Sequence, residues 1–246
     1  MRLSGKIAVV TGAASGFGAG IARCFAREGA HVVVADRDAT GARAVAEEVG
    51  GTPHAIDVSR DADWADLTRA VLDVLGCIDV LVNNAGITHL PQPMEDVSEA
   101  EFDRVLAVNA KPVFLSARHV VPAMKRAGRG AILNVASTAG VSPRPRLNWY
   151  NASKGWMITA TKAMAVELAP DGIRVNAINP VAGETPLLKS FMGEDTPEIR
   201  AKFLSTIPLG RFSTPEDMGE AAAFLCSDAA AMITGVALEI DGGRCI

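Results

Sequence analysis

The sequence predicts an α/β fold in which a doubly wound, mainly parallel sheet of seven strands carries helices on both faces. Short β-branched runs alternate with longer segments of helical periodicity along the chain, a pattern typical of repeated βαβ units. The strand segments are almost continuously apolar, which indicates parallel strands buried on both faces. We expect one domain over residues 1–246, because α/β chains of about 200 to 250 residues often fold as one.

The alternation gives seven strand candidates and six helix candidates. The strand candidates cover residues 7–11, 32–35, 53–56, 80–83, 131–135, 174–178 and 236–240, of which 53–56 is the weakest. The helix candidates cover residues 16–28, 38–49, 61–75, 99–126, 149–168 and 215–226. Residues 184–212 break this rhythm and are rich in Phe, Leu and Met. Long insertions of that kind are usually binding loops, so we interpret residues 184–212 as a substrate lid.

A glycine-rich turn joins the first strand to the first helix. It reads Thr11-Gly12-Ala-Ala-Ser15-Gly16-Phe17-Gly18. Three glycines let the backbone turn tightly and approach a pyrophosphate, while the helix N-terminus directs its N–H groups at the anion. A purely structural turn is the alternative, but the strand before the turn and the helix after it favour a nucleotide site.

Further contacts to a nucleotide are expected at the carboxyl ends of the next strands, where ligands bind in open α/β sheets. Asp36 ends the second strand, eighteen residues after Gly18, and its carboxylate is placed to accept hydrogen bonds from both adenosine ribose hydroxyls. The alternative is a helix cap, for which Asp38 is better placed. The other candidates at these strand ends are Arg37, Asp57, Val58, Asn84, Ala85 and Gly86.

Tyr150 is the only tyrosine in the chain, and Lys154 follows it four residues later within a helical pattern. Residues four apart share one face of a helix. A free tyrosine has a pKa near 10, and lowering that pKa to about 7 requires about 4 kcal/mol of preferential stabilisation of the phenolate. A neighbouring ammonium and a positively charged nicotinamide in a dry cleft would supply it. Ser137, thirteen residues before Tyr150, is placed to hold a substrate oxygen as charge develops there.

Asn109 is an unusual residue for the apolar part of the long helix candidate. Pro112 follows it closely and removes one backbone hydrogen bond. We therefore expect a kink there that frees carbonyl groups for an ordered water.

With these residues in view, the chain resembles the short-chain dehydrogenase/reductase family over essentially its whole length. The matching pieces are the TGxxxGxG turn from Thr11 to Gly18, Asp57, Asn83-Asn84-Ala85-Gly86, Asn109, Ser137, Tyr150-x-x-x-Lys154 and Thr234-Gly235. The resemblance implies a Rossmann fold and a homotetramer.

The resemblance also implies a catalytic tetrad of Asn109, Ser137, Tyr150 and Lys154. Tyr150 would exchange the proton with the substrate oxygen, and Lys154 would bind the nicotinamide ribose and lower the pKa of the tyrosine. Ser137 would orient the substrate, Asn109 would hold a proton-relay water, and Thr185 would contact the cofactor near its nicotinamide end.

The chain departs from the family pattern after the sixth strand. The family usually reads Pro-Gly there, whereas this chain reads Pro180-Val181. Valine disfavours the positive φ that glycine tolerates. Both residues are expected to contact the cofactor, in a loop of altered shape.

These observations predict an NAD-dependent oxidoreductase that transfers a hydride between nicotinamide and a secondary alcohol or ketone, with Tyr150 as the general acid and base. Asp36, and the lack of a basic residue at Ser15 or Phe17, favour NAD over NADP. An NADPH-dependent reductase of 3-oxoacyl thioesters would share every catalytic residue and is the alternative. A nucleotide-sensing regulator is less favoured, because all four tetrad residue types are present.

Composition and charge exclude several other classes. The net charge is −4 with dispersed Lys and Arg, so we expect no nucleic-acid partner. No signal-peptide core, membrane span or metal-ligand pattern is evident, and we expect a cytoplasmic protein that binds no metal. The lid candidate combines apolar residues with Glu194, Asp195 and Glu198, which favours an uncharged substrate. Packing of the lid on its own core is the alternative.

Overall fold

The computed structural model describes residues 1–246 and contains one seven-stranded sheet. Its strands are β1 (Ile7–Thr11), β2 (His31–Asp36), β3 (Thr52–Ala55), β4 (Val80–Asn83), β5 (Gly130–Val135), β6 (Ile173–Pro180) and β7 (Ala237–Ile240). They lie in the order β3-β2-β1-β4-β5-β6-β7, and all neighbouring pairs are parallel. The predicted fold class is confirmed, with every strand parallel rather than most of them.

Nine helices accompany the sheet. They are α1 (Gly16–Arg27), α2 (Ala39–Val49), α3 (Asp61–Leu75), α4 (Glu99–Asn109), α5 (Lys111–Ala127), α6 (Asn148–Leu168), α7 (Leu188–Met192), α8 (Pro197–Leu204) and α9 (Pro215–Cys226). None of them combines the length and the apolar character that crossing a membrane requires.

The prediction of one helix over residues 99–126 is wrong, because the segment divides into α4 and α5 at Ala110. Pro112 lies in the first turn of α5. A proline at this position cannot donate a hydrogen bond to the carbonyl of Val108, and its ring crowds that carbonyl. The chain therefore breaks at the place where a kink was expected.

Alternate residues of the inner strands β1, β2, β4, β5 and β6 enter two separate cores. Val10 and Val34 pack with α1, α2 and α9 on one face of the sheet, whereas Val9 and Val33 pack with α3, α5 and α6 on the other. When a strand is covered on both faces, an apolar residue at any position stabilises the fold. Each such side chain contributes about 1.5 to 3 kcal/mol when it is fully buried. This explains the continuous apolar runs in the sequence.

The insertion at residues 184–212 holds two short helices that the sequence did not predict, α7 and α8. Its apolar residues form a small core of their own. That core consists of Val181, Leu188, Met192, Ile207 and Phe212.

The strand order reverses between β1 and β4. In open α/β sheets, ligands bind at the carboxyl ends of the strands beside such a reversal. The residues that follow β1, β2, β4, β5 and β6 meet at this edge and surround a common cavity.

Candidate active site

A cavity of about 430 Å³ lies over the carboxyl ends of these strands. It brings together nearly all of the cofactor residues predicted from sequence. Those that line it are Gly12, Ser15, Gly16, Phe17, Asp36, Arg37, Asp57, Val58, Asn84, Ala85, Gly86, Tyr150, Lys154, Pro180, Val181 and Thr185. Ser137 lines it too, whereas Gly18 and Asn109 lie behind the wall.

The glycine turn is packed so closely that side chains are excluded from it. Gly12 has a φ of +64°, and a Cβ on it would lie 2.7 Å from the Cα of Ala85. A Cβ on Gly18 would overlap the carbonyl oxygen of Gly12. The Asn84 amide fixes this approach by donating to the carbonyls of Thr11, at 2.8 Å, and Gly12, at 3.0 Å.

The N-terminus of α1 follows this turn, and its first turn contains no acidic residue. Ser15, the N-cap, makes no side-chain capping bond. The unpaired N–H groups and the positive end of the helix dipole therefore have no carboxylate partner within the first turn. Together with the glycine turn, this arrangement fits the pyrophosphate of a dinucleotide.

Asp36 is held at the same end of the cavity, against the glycine turn. Its carboxylate accepts hydrogen bonds from the N–H groups of Ala14 and Asp38, each at 3.0 Å, and each oxygen keeps a lone pair for a further donor. Asp38 is the N-cap of α2, so capping does not account for Asp36. Arg37 is exposed beside it.

Asp57 carries a second carboxylate at this end of the cavity. The Ser59 hydroxyl donates to it at 2.7 Å and the Ser59 N–H donates at 3.0 Å. These bonds hold the pKa of Asp57 below its ordinary value. The carboxylate is therefore negatively charged at neutral pH.

Tyr150 and Lys154 lie near the start of α6 and are buried side by side at the other end of the cavity. The Lys154 Nζ is 5.9 Å from the centre of the Tyr150 ring and donates to the carbonyl of Val135 at 2.8 Å. Burial lowers the pKa of Lys154 to about 8. Burial also raises the pKa of Tyr150 to about 12, with the Ser137 hydroxyl acting in the opposite direction.

The raised pKa of Tyr150 differs from the expected lowering, and the cause is physical. At the pH where the phenol would ionise, Lys154 has already lost its proton because its own pKa is only about 8. The ammonium then no longer stabilises the phenolate. Without a further positive charge, Tyr150 remains protonated at neutral pH.

Ser137 follows β5 and is 9% exposed to solvent. Its Oγ accepts a hydrogen bond from the N–H of Ala139 at 3.1 Å. The hydroxyl proton remains available to donate into the cavity, because accepting a bond does not use it.

Asn109 is fully buried, and its side chain bonds to protein groups of two other segments. Its amide forms two 2.9 Å bonds to the main chain of Ile87 and donates to the Ser153 hydroxyl at 3.0 Å. The side chain thus ties the end of α4 to the loop after β4 and to α6. The group freed by the helix break is the carbonyl of Val108, a residue that lines the cavity, because Pro112 cannot donate to it.

Val181 is not strained, because Arg146 is the only non-glycine residue with a positive φ. Its N–H donates to the carbonyl of Ile240 at 3.3 Å. The side chain lines the cavity and also packs into the small core of the 184–212 segment. Valine therefore joins that segment to the end of β6, which glycine could not do.

Residues 184–212 contribute side chains both to a core of their own and to the cavity wall. Leu188 and Met192 pack into its own core, whereas Leu187, Phe191 and Phe203 line the cavity. The Phe191 ring contacts the Tyr150 ring edge to face, with the ring centres 5.0 Å apart.

Sequence reasoning missed Arg144, which lies between β5 and α6 and lines the same end of the cavity. Its guanidinium is 4.3 Å from the centre of the Phe203 ring. The segment from Ser142 to Arg146 alternates proline with basic residues. That pattern lies between Ser137 and Tyr150, and it is the feature of the sequence that could have identified Arg144 as a residue of the site.

Comparison with known proteins relates the chain to oxidoreductases along its whole length. Residues 12–244 match the family model described as enoyl-(acyl carrier protein) reductase. The chain is 50% identical to 4-formylbenzenesulfonate dehydrogenase of Comamonas testosteroni, with 99% of each covered. It is 41% identical to D-threitol dehydrogenase of Mycolicibacterium smegmatis, with 100% of this chain and 95% of that one covered.

A solved structure gives the same relationship. The 3-ketoacyl-(acyl-carrier-protein) reductase from Brucella melitensis, complexed with NADH, has a TM-score of 0.94 and 53% sequence identity to this chain. The match covers 99% of this chain and 100% of that one.

Proposed function

The chain belongs to the short-chain dehydrogenase/reductase family, which uses nicotinamide cofactors. On that premise we propose that it is an NAD-dependent dehydrogenase. It interconverts an alcohol, in particular a secondary alcohol, with its carbonyl compound. One observation carries this proposal. The buried Tyr150 and Lys154 lie beside Ser137 at one end of a cavity whose other end holds the glycine turn and Asp36.

The nicotinamide ring, when bound, supplies or accepts the hydride. Tyr150 Oη removes the proton from an alcohol during oxidation and returns it to the oxygen during reduction. Ser137 Oγ donates a hydrogen bond to that oxygen and stabilises its developing charge. Lys154 Nζ holds positive charge beside the phenol. The Val108 carbonyl is available to hold a water that passes the proton to solvent.

The proton transfer depends on how strongly positive charge acts on Tyr150. Lowering its pKa from about 12 to about 7 corresponds to about 7 kcal/mol. With the 5.9 Å from Lys154 Nζ to the centre of the phenol ring taken as the separation of the charges, the ammonium provides about 3 kcal/mol at an effective dielectric of 20. The remainder requires a second positive charge. Tyr150 is therefore a base only when Lys154 is protonated and the site is loaded with the oxidised, cationic cofactor.

The preference for NAD rests on Asp36. Its carboxylate is held by two main-chain N–H groups and keeps lone pairs that can accept hydrogen bonds from ribose hydroxyls. A 2′-phosphate there would meet a like charge, which costs about 4 kcal/mol per unit pair at 4 Å and an effective dielectric of 20 before screening by salt. Arg37 is exposed beside it and would offset part of that repulsion.

The proposal is tested by incubating the protein with NAD or NADP and a panel of cyclic, aromatic and sugar alcohols, and following the absorbance of reduced nicotinamide. We expect turnover of at least one alcohol class, with NAD as the better cofactor. Reduction of an acetoacetyl thioester with NADPH, and with no alcohol oxidised, would instead support the 3-oxoacyl reductase. NADH binding without any turnover would support a regulator.

We also propose that residues 184–212 act as the substrate lid and that the chain assembles as a homotetramer. Large apolar side chains on the helices α5 and α6 are exposed in the monomer: Phe114 at 56%, Trp156 at 45% and Val166 at 80%. Covering such a face with another subunit removes apolar surface from water, which favours association. Closed symmetry is common among oligomers. Sedimentation at micromolar concentration should give a tetramer, and Trp156→Glu should give a smaller species. A wild-type monomer would refute the assembly.

A further inference from the structure

The substrate end of the cavity contains a cation that the mechanism above does not use. Arg144 lines the wall beside Phe191 and Phe203, and its guanidinium lies 4.3 Å from the centre of the Phe203 ring. Its one side-chain hydrogen bond is a long one, at 3.4 Å, to the Thr206 hydroxyl. The guanidinium has five N–H donors, so most of them face the cavity or solvent without a protein acceptor.

No carboxylate neutralises Arg144. The only acidic residues that line the cavity are Asp36 and Asp57, and both lie at the glycine-turn end. The titratable neighbours that act on Arg144 are Arg244, which repels it, and Cys245, whose smaller effect is in the opposite direction. Burial and this repulsion lower the pKa of Arg144 to about 10.

Arg244 has no acidic partner of its own. Its side chain donates only to the hydroxyl and carbonyl of Ser142, and its Nε is buried without a hydrogen-bond acceptor. Both arginines are half-buried, and a guanidinium withdrawn from water without a counter-ion is costly. An anion entering the cavity would remove that cost.

The acidic residues of the lid do not provide this counter-charge. Glu194 and Asp195 are exposed, Asp195 pairs with Arg200, and neither lines the cavity. The expectation of an uncharged substrate combined an apolar pocket with an acidic outer face of the lid, and it did not take Arg144 into account.

We propose that Arg144 binds an anionic group of the substrate, so that the chain acts on a cyclic or aromatic alcohol or carbonyl compound that bears a carboxylate or a similar oxyanion. This inference rests on the function proposed above. The guanidinium fork matches two carboxylate oxygens. Phe191, Phe203 and Leu187 provide apolar faces for the ring between that anion and the reacting carbon near Tyr150.

The test compares two secondary alcohols of nearly equal shape, 4-(1-hydroxyethyl)benzoate and 4-(1-hydroxyethyl)benzamide, which differ in charge. Their affinities for the protein saturated with NADH are measured by calorimetry, a readout that does not require turnover. We expect the wild type to bind the carboxylate at least about tenfold more tightly than the amide. Arg144→Gln should bring that ratio to about one, and Arg144→Lys, which keeps the charge but loses the fork, should give an intermediate ratio.

Arg146→Gln is the matched control, because it removes the same charge two residues away from an exposed side chain that does not line the cavity. It should keep the wild-type ratio. An equal wild-type affinity for the two probes, binding of neither probe, or a ratio that Arg144→Gln leaves unchanged would overturn the inference. Tight binding of the carboxylate without its oxidation by NAD would keep the inference and count against the proposed function instead.

Discussion

At the glycine-turn end of the cavity the walls consist largely of main chain, whereas at the α6 end they consist of side chains. Gly12 and Gly18 admit no Cβ, and Asp36 is held by main-chain N–H groups. At the α6 end, Lys154 is a buried cation and Arg144 a half-buried one, and neither has an acidic partner. The first end is acidic and the second is basic.

This contrast separates two ways of building a site. The glycine-turn end depends on close backbone approach, so its requirements are steric and any added atom disturbs it. The α6 end depends on charged side chains that are withdrawn from water. Burying them lowers the stability of the folded protein, but once a ligand binds they can stabilise its charge. Each end therefore predicts its own response to substitution.

The largest effect is expected at the α6 end, from Tyr150→Phe. The fold and NADH affinity should persist, because the ring still packs against Phe191, while kcat falls by about a thousandfold or more as the transferable proton is lost. His89 cannot substitute, since it is buried and does not line the cavity. The measurement is steady-state turnover beside an NADH titration. Retention of a tenth of the activity would remove Tyr150 from the acid–base role.

Gly12→Ala tests the steric character of the other end. Its matched control is Gly50→Ala, because Gly50 has the same φ of +64° but nothing within 4 Å of the added Cβ. Both variants carry the strain of a positive φ, about 1 to 2 kcal/mol. Only Gly12→Ala pushes against the Ala85 backbone, so we expect NADH affinity to fall by about a hundredfold or more there and to stay unchanged in the control. Equal losses in both variants would mean that strain alone matters.

Lys154→Met should stabilise the protein without cofactor at pH 7, by about 2 to 3 kcal/mol. The folded-state pKa of Lys154 lies near 8, below its ordinary value of 10.5. The cost of burying the ammonium is therefore fully present below pH 8 and disappears as the pH rises towards 10.5. Urea unfolding at pH 7 and pH 9.5 should show the gain shrinking. Lys162→Met, on the exposed side of α6, serves as the control, and a gain independent of pH would refute this cause.

The smallest effect is expected from Asp36→Ala. The wild type should prefer NAD over NADP by about a hundredfold in kcat/KM, and the variant should lower this preference about tenfold. Asp38→Ala is the control, since Asp38 caps α2 but does not line the cavity. Its stability should fall by about 1 kcal/mol with the cofactor ratio unchanged. An unchanged ratio in Asp36→Ala would assign the preference to another residue.

The two ends also differ in how much the sequence could predict. The turn from Gly12 to Gly18 follows its strand directly, so local spacing is enough to locate it. Arg144 contacts the Phe203 ring, which lies about sixty residues further along the chain. Asn109 was recognised, but its bonds to Ile87 and Ser153 join three distant segments. Contacts of this kind cannot be predicted from the spacing of residues along the chain.

Tyr150 has a further consequence as the only tyrosine in the chain. A phenol and its phenolate absorb ultraviolet light differently, and the three tryptophans do not ionise in the alkaline range. In the near ultraviolet, where cysteine thiolates do not absorb, the alkaline difference spectrum of this protein therefore reports a single proton at a single atom. Without cofactor that transition should fall near pH 12, and its displacement on addition of NAD would measure optically how strongly the ligand polarises the site.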